Sequence, residues 1–329
     1  MRILVLGGTV FLSKAVATEA LRRGHDVVCA ARGESGGVPD GAELVPVDRD
    51  RPGSLEPLRG ERFDAVVDVA KMSVNWVREA LRVLGDDTGH WTFVSSCSVY
   101  LDHSTPGQTV TAPTLPPLED DPDAEPTSDR YGSVKVASEI AVRDALEDRA
   151  FIVRAGLITG PGDPSDRFGY WPARLSQGGR VAVPDAPDQP AQHIDVRDLA
   201  TWIVDSAEQR LVGTFDAIGP SNPLSFFLGE IAGTVAPQGT ELVRVPLDVL
   251  AEAEIAPWSG PRSLPLWLPE THLAMMFHDA SPALAAGLQV RPVGDTARDS
   301  LAYELSLGLD RPRRAGLSAA EEAELLAAL

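Results

Sequence analysis

Arg2-Ile3-Leu4-Val5-Leu6-Gly7-Gly8-Thr9-Val10-Phe11 reads as a strand, a glycine turn and the start of a helix. Ile3 to Leu6 is an unbroken apolar run, the pattern of a central strand buried on both faces. After the turn the period changes. Phe11, Ala15, Val16, Ala20 and Leu21 fall on one helical face, and Gly24 ends the helix. Glycines between a strand and a helix let the backbone approach an anion resting on the helix N-terminus. Gly7, Gly8, Thr9, Val10, Phe11 and Leu12 are therefore the first candidate ligand contacts, and the ligand that suits such a turn is a dinucleotide.

The alternation continues outward. β-branched runs predict strands over 26–30, 44–47, 64–69, 91–95 and 151–154, with helices over 74–84 and 131–146 between them. This is the signature of βαβ units, so the expected fold is α/β, a doubly wound parallel Rossmann sheet. Residues 1–155 are assigned to that sheet, with a return segment at about 190–218 that carries a helix over 196–209 and a strand over 214–218. Residues 156–329 are expected to form a smaller mixed substrate-binding part, with helices over 226–235 and 319–329. Residues 102–130 are rich in Pro, Asp, Glu and Thr and lack periodicity, which predicts a long functional loop.

Composition excludes several classes. The chain of 329 residues carries 29 Lys and Arg against 48 Asp and Glu, a net charge of −19. A nucleic-acid backbone or an anionic membrane needs a basic surface instead. Cys29 and Cys97 sit in or beside apolar runs, as reduced core cysteines do. No leader pattern precedes the first strand, and no apolar stretch reaches the roughly 20 residues that span a bilayer. The expected setting is the cytoplasm. No metal-ligand motif is found, so no metal is expected.

Tyr131-Gly132-Ser133-Val134-Lys135 places a phenol and an ammonium at i and i+4, on one helical face. A nearby cation is expected to lower the tyrosine pKa, so that Tyr131 can move a proton near neutral pH. Upstream, Ser95-Ser96-Cys97-Ser98-Val99-Tyr100 ends a strand in hydroxyls. Ser96 is placed to hydrogen-bond a substrate oxygen beside Tyr131, and Ser98 is a second polar contact. At the end of the second strand, Ala31 and Arg32 stand where an NAD site carries a carboxylate. A guanidinium suits a 2′-phosphate, which favours NADP, with NAD as the alternative. Asp48, after the third strand, is placed to meet the adenine.

The turn, the strand end and Tyr131-Gly132-x-x-Lys135, in this order, resemble the extended short-chain dehydrogenase/reductases, the NAD-dependent epimerase/dehydratase family. Val153 to Gly162 is similar to that family's R-P-G-x-x-x-G-P segment, and His193 to Leu199 to its F-I-x-V-x-D segment. The resemblance spans roughly residues 1–220. The chain departs from the family's G-x-x-G-x-x-G at Val10 and Ser13. The resemblance implies that Tyr131 is the general acid/base, Lys135 the clamp on the nicotinamide ribose and Ser96 the oxyanion partner. It also implies cofactor contacts at the turn, at Ala70 and Lys71, and at Gly156 and Ile158, together with a homodimer through the helix that starts at Tyr131. The implied activity is hydride transfer to or from a carbonyl or alcohol of a small molecule, sugar-like, nucleotide-like or a natural product. The glycine departures leave two alternatives, an NADP-binding sensor without turnover and an RNA-binding member of the atypical subgroup.

On the substrate side, Arg167, Tyr170 and Trp171 combine a cation with aromatic faces, and His193 is a candidate contact. Trp258, Arg262 and Trp267 lie in a Pro-rich stretch expected to form a lid.

Overall fold

The computed structural model describes residues 1–118 and 130–329. Seven strands form one parallel sheet: β1 (Arg2–Leu6), β2 (Asp26–Ala31), β3 (Glu43–Pro46), β4 (Ala65–Asp68), β5 (Trp91–Ser96), β6 (Ala150–Ala155) and β7 (Gly213–Ala217). Their order is β3-β2-β1-β4-β5-β6-β7. In register, Leu4 lies beside Val28 of β2 and Val66 of β4. The expected doubly wound α/β fold is observed, and each predicted strand in it lies within one or two residues of its reading. Of the predicted loop over 102–130, residues 119–129 lie outside the described residues.

Four helices cover the sheet: α1 (Phe11–Arg22), α2 (Val74–Leu84), α3 (Tyr131–Leu146) and α4 (Val196–Gln209). α1 packs on α4 and α2 on α3. Side chains alternate across a strand, and β1 feeds both layers. Ile3 and Val5 pack with Val16 and Ala20 of α1 and with Leu199, Trp202 and Ile203 of α4. Leu4 and Leu6 pack with Val77 and Ala80 of α2, Val142 and Leu146 of α3, and Trp91 and Phe93 of β5. Side-chain caps start two of these helices. The Ser73 hydroxyl accepts from the Trp76 N–H, and the Asp195 carboxylate accepts from the Arg197 N–H.

The remaining chain builds a second core. Phe168, Trp171, Val181, Leu224, Phe227, Ile231 and Leu264 are buried together there. Arg180–Pro184 pairs in parallel with Glu241–Val245, and the helix Leu224–Val235 packs on the helix Val293–Leu307. In an open parallel sheet, ligands bind at the carboxyl ends of the strands where the order reverses. Here that point lies between β1 and β4, at Gly7 and Val69.

Candidate active site

Two cavities flank the glycine turn. The first has a volume of about 460 Å³ and is lined by Val10, Phe11, Leu12 and Ser13 of the turn and α1, by Ser96 and Ser98 after β5, and by Tyr131 and Lys135 of α3. Gly156, Ile158 and Arg167 also line it. The second, about 190 Å³, is lined by Gly7, Thr9, Ala31, Arg32, Asp48 and Ala70. Val69 and Lys71 line both, so the two meet across the end of β4.

The turn is tight. Gly7 and Gly8 have φ of 137° and 101°, in the region only glycine adopts freely. A Cβ on Gly8 would overlap the Cys29 thiol of β2, and one on Gly7 would sit 3.0 Å from the Ser13 Cβ. Gly7 thus leaves room for Ser13 to pack against the end of β1. Its hydroxyl donates to the Val10 carbonyl at 2.8 Å. Val10, where the family has glycine, keeps 40% of its surface exposed. Phe11 holds φ of 42°, a costly conformation for a bulky residue. No side chain among the described residues caps the start of α1, which leaves its first N–H groups for an anion. The uncapped helix start, the tight glycines and the paired cavities fit a dinucleotide whose pyrophosphate crosses at Gly7 to Leu12. Gly8 meets β2 rather than either cavity.

The catalytic candidates come together. Gly132 lets α3 approach the end of β5, because a Cβ there would overlap the Ser98 carbonyl. Tyr131 is half-buried, and burial raises its pKa above the ordinary phenol value, while a hydrogen bond with Ser96 and the charge of Arg167 work against that. The expected drop in the tyrosine pKa is therefore corrected. Lys135 is buried, with its Nζ donating to the Ala70 carbonyl at 2.5 Å and the Val94 carbonyl at 2.7 Å. Its Nζ lies 5.7 Å from the centre of the Tyr131 ring. Backbone carbonyls thus hold the ammonium at the cavity wall. The Ser96 and Ser98 hydroxyls are 3.2 Å apart.

Burial pushes the Lys135 pKa down to about 8, and the Asp68 and Glu139 charges offset part of that. A buried lysine lowered in this way costs stability below about pH 8, where it is charged in the folded chain. That cost is relieved as pH rises toward its unfolded value of 10.5, because the unfolded chain then binds the extra proton. Relative to Lys135→Met, the wild-type chain is expected to gain stability over this window, by at most about 1.4 kcal/mol per pH unit. Urea unfolding at several pH values measures the gap, and a gap that stays constant or widens with pH contradicts the assignment.

Behind the site runs a buried polar network. The Ser95 hydroxyl donates to Glu139 Oε1 at 2.6 Å, and Arg154 meets both Glu139 oxygens, Nε at 3.0 Å and one Nη at 2.8 Å. Arg154 also donates to the Tyr100 hydroxyl at 3.1 Å, and Tyr100 donates to Asp216 at 2.6 Å. On the second cavity, Arg49 is paired in the same forked way with buried Asp68. Asp48 lines this cavity and also caps its own turn, accepting from the Asp50 N–H at 3.2 Å.

Three substrate candidates lie elsewhere. Tyr170 and Trp171 are buried in the second core, with the Trp171 indole donating to the Pro265 carbonyl at 3.0 Å. Tyr170 packs so closely on Gly316 that no Cβ fits there. His193 is buried between Phe168 and Phe227, and its Nδ1 pairs with the Thr159 hydroxyl at 2.8 Å. Burial lowers its pKa to about 4. These aromatic groups face apolar neighbours because they close the second core. Of the expected lid, Trp258 lines the first cavity, while Trp267 belongs to the second core and Arg262 lies on a separate cavity. The sequence reading missed Asp163, Met275 and Met276, which line the first cavity. Asp163 lies four residues before Arg167 in the same loop, while Met275 and Met276 reach the site from a distant segment that no spacing rule marks.

Comparison with known proteins places this geometry. The model of the NAD-dependent epimerase/dehydratase family matches residues 3–214. The chain belongs to that family of enzymes. Among solved structures, a putative epimerase from Burkholderia cenocepacia J2315 has the same fold, with 20% identity and a TM-score of 0.69 over 92% of this chain and 97% of that one. WbmH from Bordetella bronchiseptica, solved with NAD+, gives 16% identity and a TM-score of 0.67 over 93% and 99%. A UDP-glucose-4-epimerase from Stenotrophomonas maltophila, solved with NAD and a formylated UDP-arabinopyranose, gives 19% and 0.65 over 93% and 98%. No match was found among curated protein sequences. No helix among the described residues is long and apolar enough to cross a membrane.

Proposed function

We propose that the chain catalyses NAD(P)-dependent oxidoreduction or epimerisation at a carbonyl or alcohol carbon of a small sugar-like or nucleotide-like molecule. The observation that carries this reading is the meeting of the two cavities across the glycine turn, with Tyr131 and Ser96 in one and Arg32 in the other. When bound, the dinucleotide supplies the carbon that gives or accepts the hydride. Ser96 orients the substrate oxygen and Tyr131 moves its proton. Lys135, held by the Ala70 and Val94 carbonyls, keeps a positive charge beside the ribose at neutral pH. The reading includes a homodimer through α3, where Ile140 keeps 39% of its surface exposed, and a cytoplasmic setting.

NADP is the proposed cofactor. Arg32 lines the second cavity, is largely exposed, and has Glu34 3.8 Å away as its ion-pair partner. A 2′-phosphate replaces that loose pairing with a charge-assisted one. Arg32→Ala is expected to weaken NADPH about 10- to 100-fold and leave NADH unchanged, the worth of hydrogen bonds to a charged group. Fluorescence titration of the purified chain with NADPH and NADH tests both claims. Equal losses for the two dinucleotides would remove the case for NADP, and binding of neither would remove the enzymatic reading.

A further inference from the structure

The wall of the first cavity next to Tyr131 is built by Asp163, Ser165 and Arg167 and by Trp258, Met275 and Met276. Arg167 is unlike the arginines buried elsewhere around the site. Arg154 and Arg49 each fork onto a carboxylate, Glu139 and Asp68. The Arg167 Nε donates to the Ser165 hydroxyl at 3.2 Å, and no acceptor among the described residues meets either of its Nη atoms. The face of the guanidinium is covered by the Trp258 indole, at 4.8 Å from the ring centre. That tryptophan holds φ of 68°, a left-handed conformation that is costly for a bulky side chain and that recurs where a site demands it. Burial lowers the Arg167 pKa, and the charge of Asp163 works against that. A guanidinium stacked on its face, with its Nη edge unmatched, offers two parallel donors to a planar or tetrahedral oxyanion.

We propose that Arg167 receives a compact oxyanion, a carboxylate or a phosphate, carried by the substrate close to the carbon that reacts beside Tyr131. The substrate is then an acidic molecule such as a uronate or a sugar phosphate, and the rest of it lies against Met275 and Met276. The inference rests on the first cavity being the substrate site. It extends that reading, because neither the hydride-transfer chemistry nor the glycine turn requires a charged substrate. The net charge of −19 makes the site more selective: an anion that enters is held by a local cation and not by the general field.

Three probes test it: D-glucuronate, D-glucose 6-phosphate and D-glucose. Each is titrated into protein saturated with NADP+ or NAD+, so that the α1 N-terminus is filled and cannot take up the anion. Trp258 fluorescence reports binding, with Trp258→Phe identifying the signal. One of the two anions is expected to bind about 30-fold or more tighter than glucose, the effect of a desolvated charge pair, and which of them does so identifies the source of the oxyanion. Arg167→Met is expected to bring that anion to parity with glucose. If this variant does not fold, Arg167→Lys decides, since it keeps the charge, loses the fork and is expected to lose most of the preference. Glucose binding as tightly as both anions, or a preference that survives the substitution, overturns the proposal. If neither dinucleotide binds, the proposed function fails. The same titrations are then run on the free protein, where a preference that Arg167→Met abolishes still upholds the anion site and one that it leaves intact overturns it.

Discussion

Tyr131→Phe is expected to lower turnover about 10²- to 10⁴-fold while dinucleotide affinity stays unchanged. The substitution keeps the ring, so the packing of Gly132 and α3 against the end of β5 is retained. It removes the phenol to which the proposed function assigns the proton transfer, and it leaves the Asp163 carboxyl as another acid in the same cavity. Lys135 is committed to two backbone carbonyls, and the serine hydroxyls are far weaker acids. The direction of the tyrosine shift adds a second expectation. Burial holds the phenol above its ordinary pKa, so at neutral pH Tyr131 carries its proton. Reduction, which consumes that proton, is expected to be favoured at neutral pH. Oxidation, which needs the phenolate, is expected to quicken as pH rises. Single-turnover absorbance of the reduced dinucleotide across pH, on the wild-type chain and the Tyr131→Phe variant, reads both effects. A variant within tenfold of wild type would move the proton transfer to another group.

The sheet and the helix that carries Tyr131 were readable because their signals are local. Ile3 to Leu6, buried on both faces, and the helical period from Phe11 determine the first βαβ unit without reference to anything distant. Tyr131, Lys135 and Ser96 were readable for a related reason, since i,i+4 spacing on α3 and a strand end fix their directions. The sequence misled where the same residue types satisfy two physical demands. Tyr170, Trp171 and His193 carry the chemistry of a binding site, yet the second core needed their area and they are buried in it. Trp258 and Trp267 stand nine positions apart in one Pro-rich stretch, and only the first reaches the cavity. What separates them is the left-handed turn at Trp258 and the strand pairing of Ala256–Trp258 with Ser263–Pro265, neither of which leaves a periodic trace. The tyrosine shift was misread for an electrostatic reason. Spacing puts a lysine near the phenol but says nothing of how deeply each is buried, and burial outweighs the neighbouring charge.

The second large effect lies behind the site. Glu139→Ala is expected to destabilise the fold by about 3–5 kcal/mol, the cost of leaving a buried charge without its partner. Glu139 is 1% exposed and Arg154 3%. The carboxylate accepts from Ser95 and from Arg154 at once. Removing it leaves the guanidinium with the Tyr100 hydroxyl and the Val110 carbonyl, neither of which carries compensating charge. Burial works to raise the Glu139 pKa, but the Arg154 hydrogen bond and charge outweigh it, so the folded value lies below the ordinary carboxylate value. Its contribution is therefore present above that ordinary value and is lost as pH falls through the lowered one. The location makes this more than a stability effect. Tyr131, Lys135 and Glu139 follow at four-residue intervals along one face of α3, and Ser95 precedes Ser96 on β5. The Glu139 clasp thus ties the helix that carries Tyr131 to the strand end that carries Ser96. Arg154→Met in the same chain is expected to recover part of the lost stability, because the buried guanidinium is then no longer left without its carboxylate. Urea unfolding of the wild type, the two single variants and the double variant measures the coupling. Additive losses, or a Glu139→Ala cost below about 1 kcal/mol, would reduce the pair to one with no more weight than an exposed ion pair.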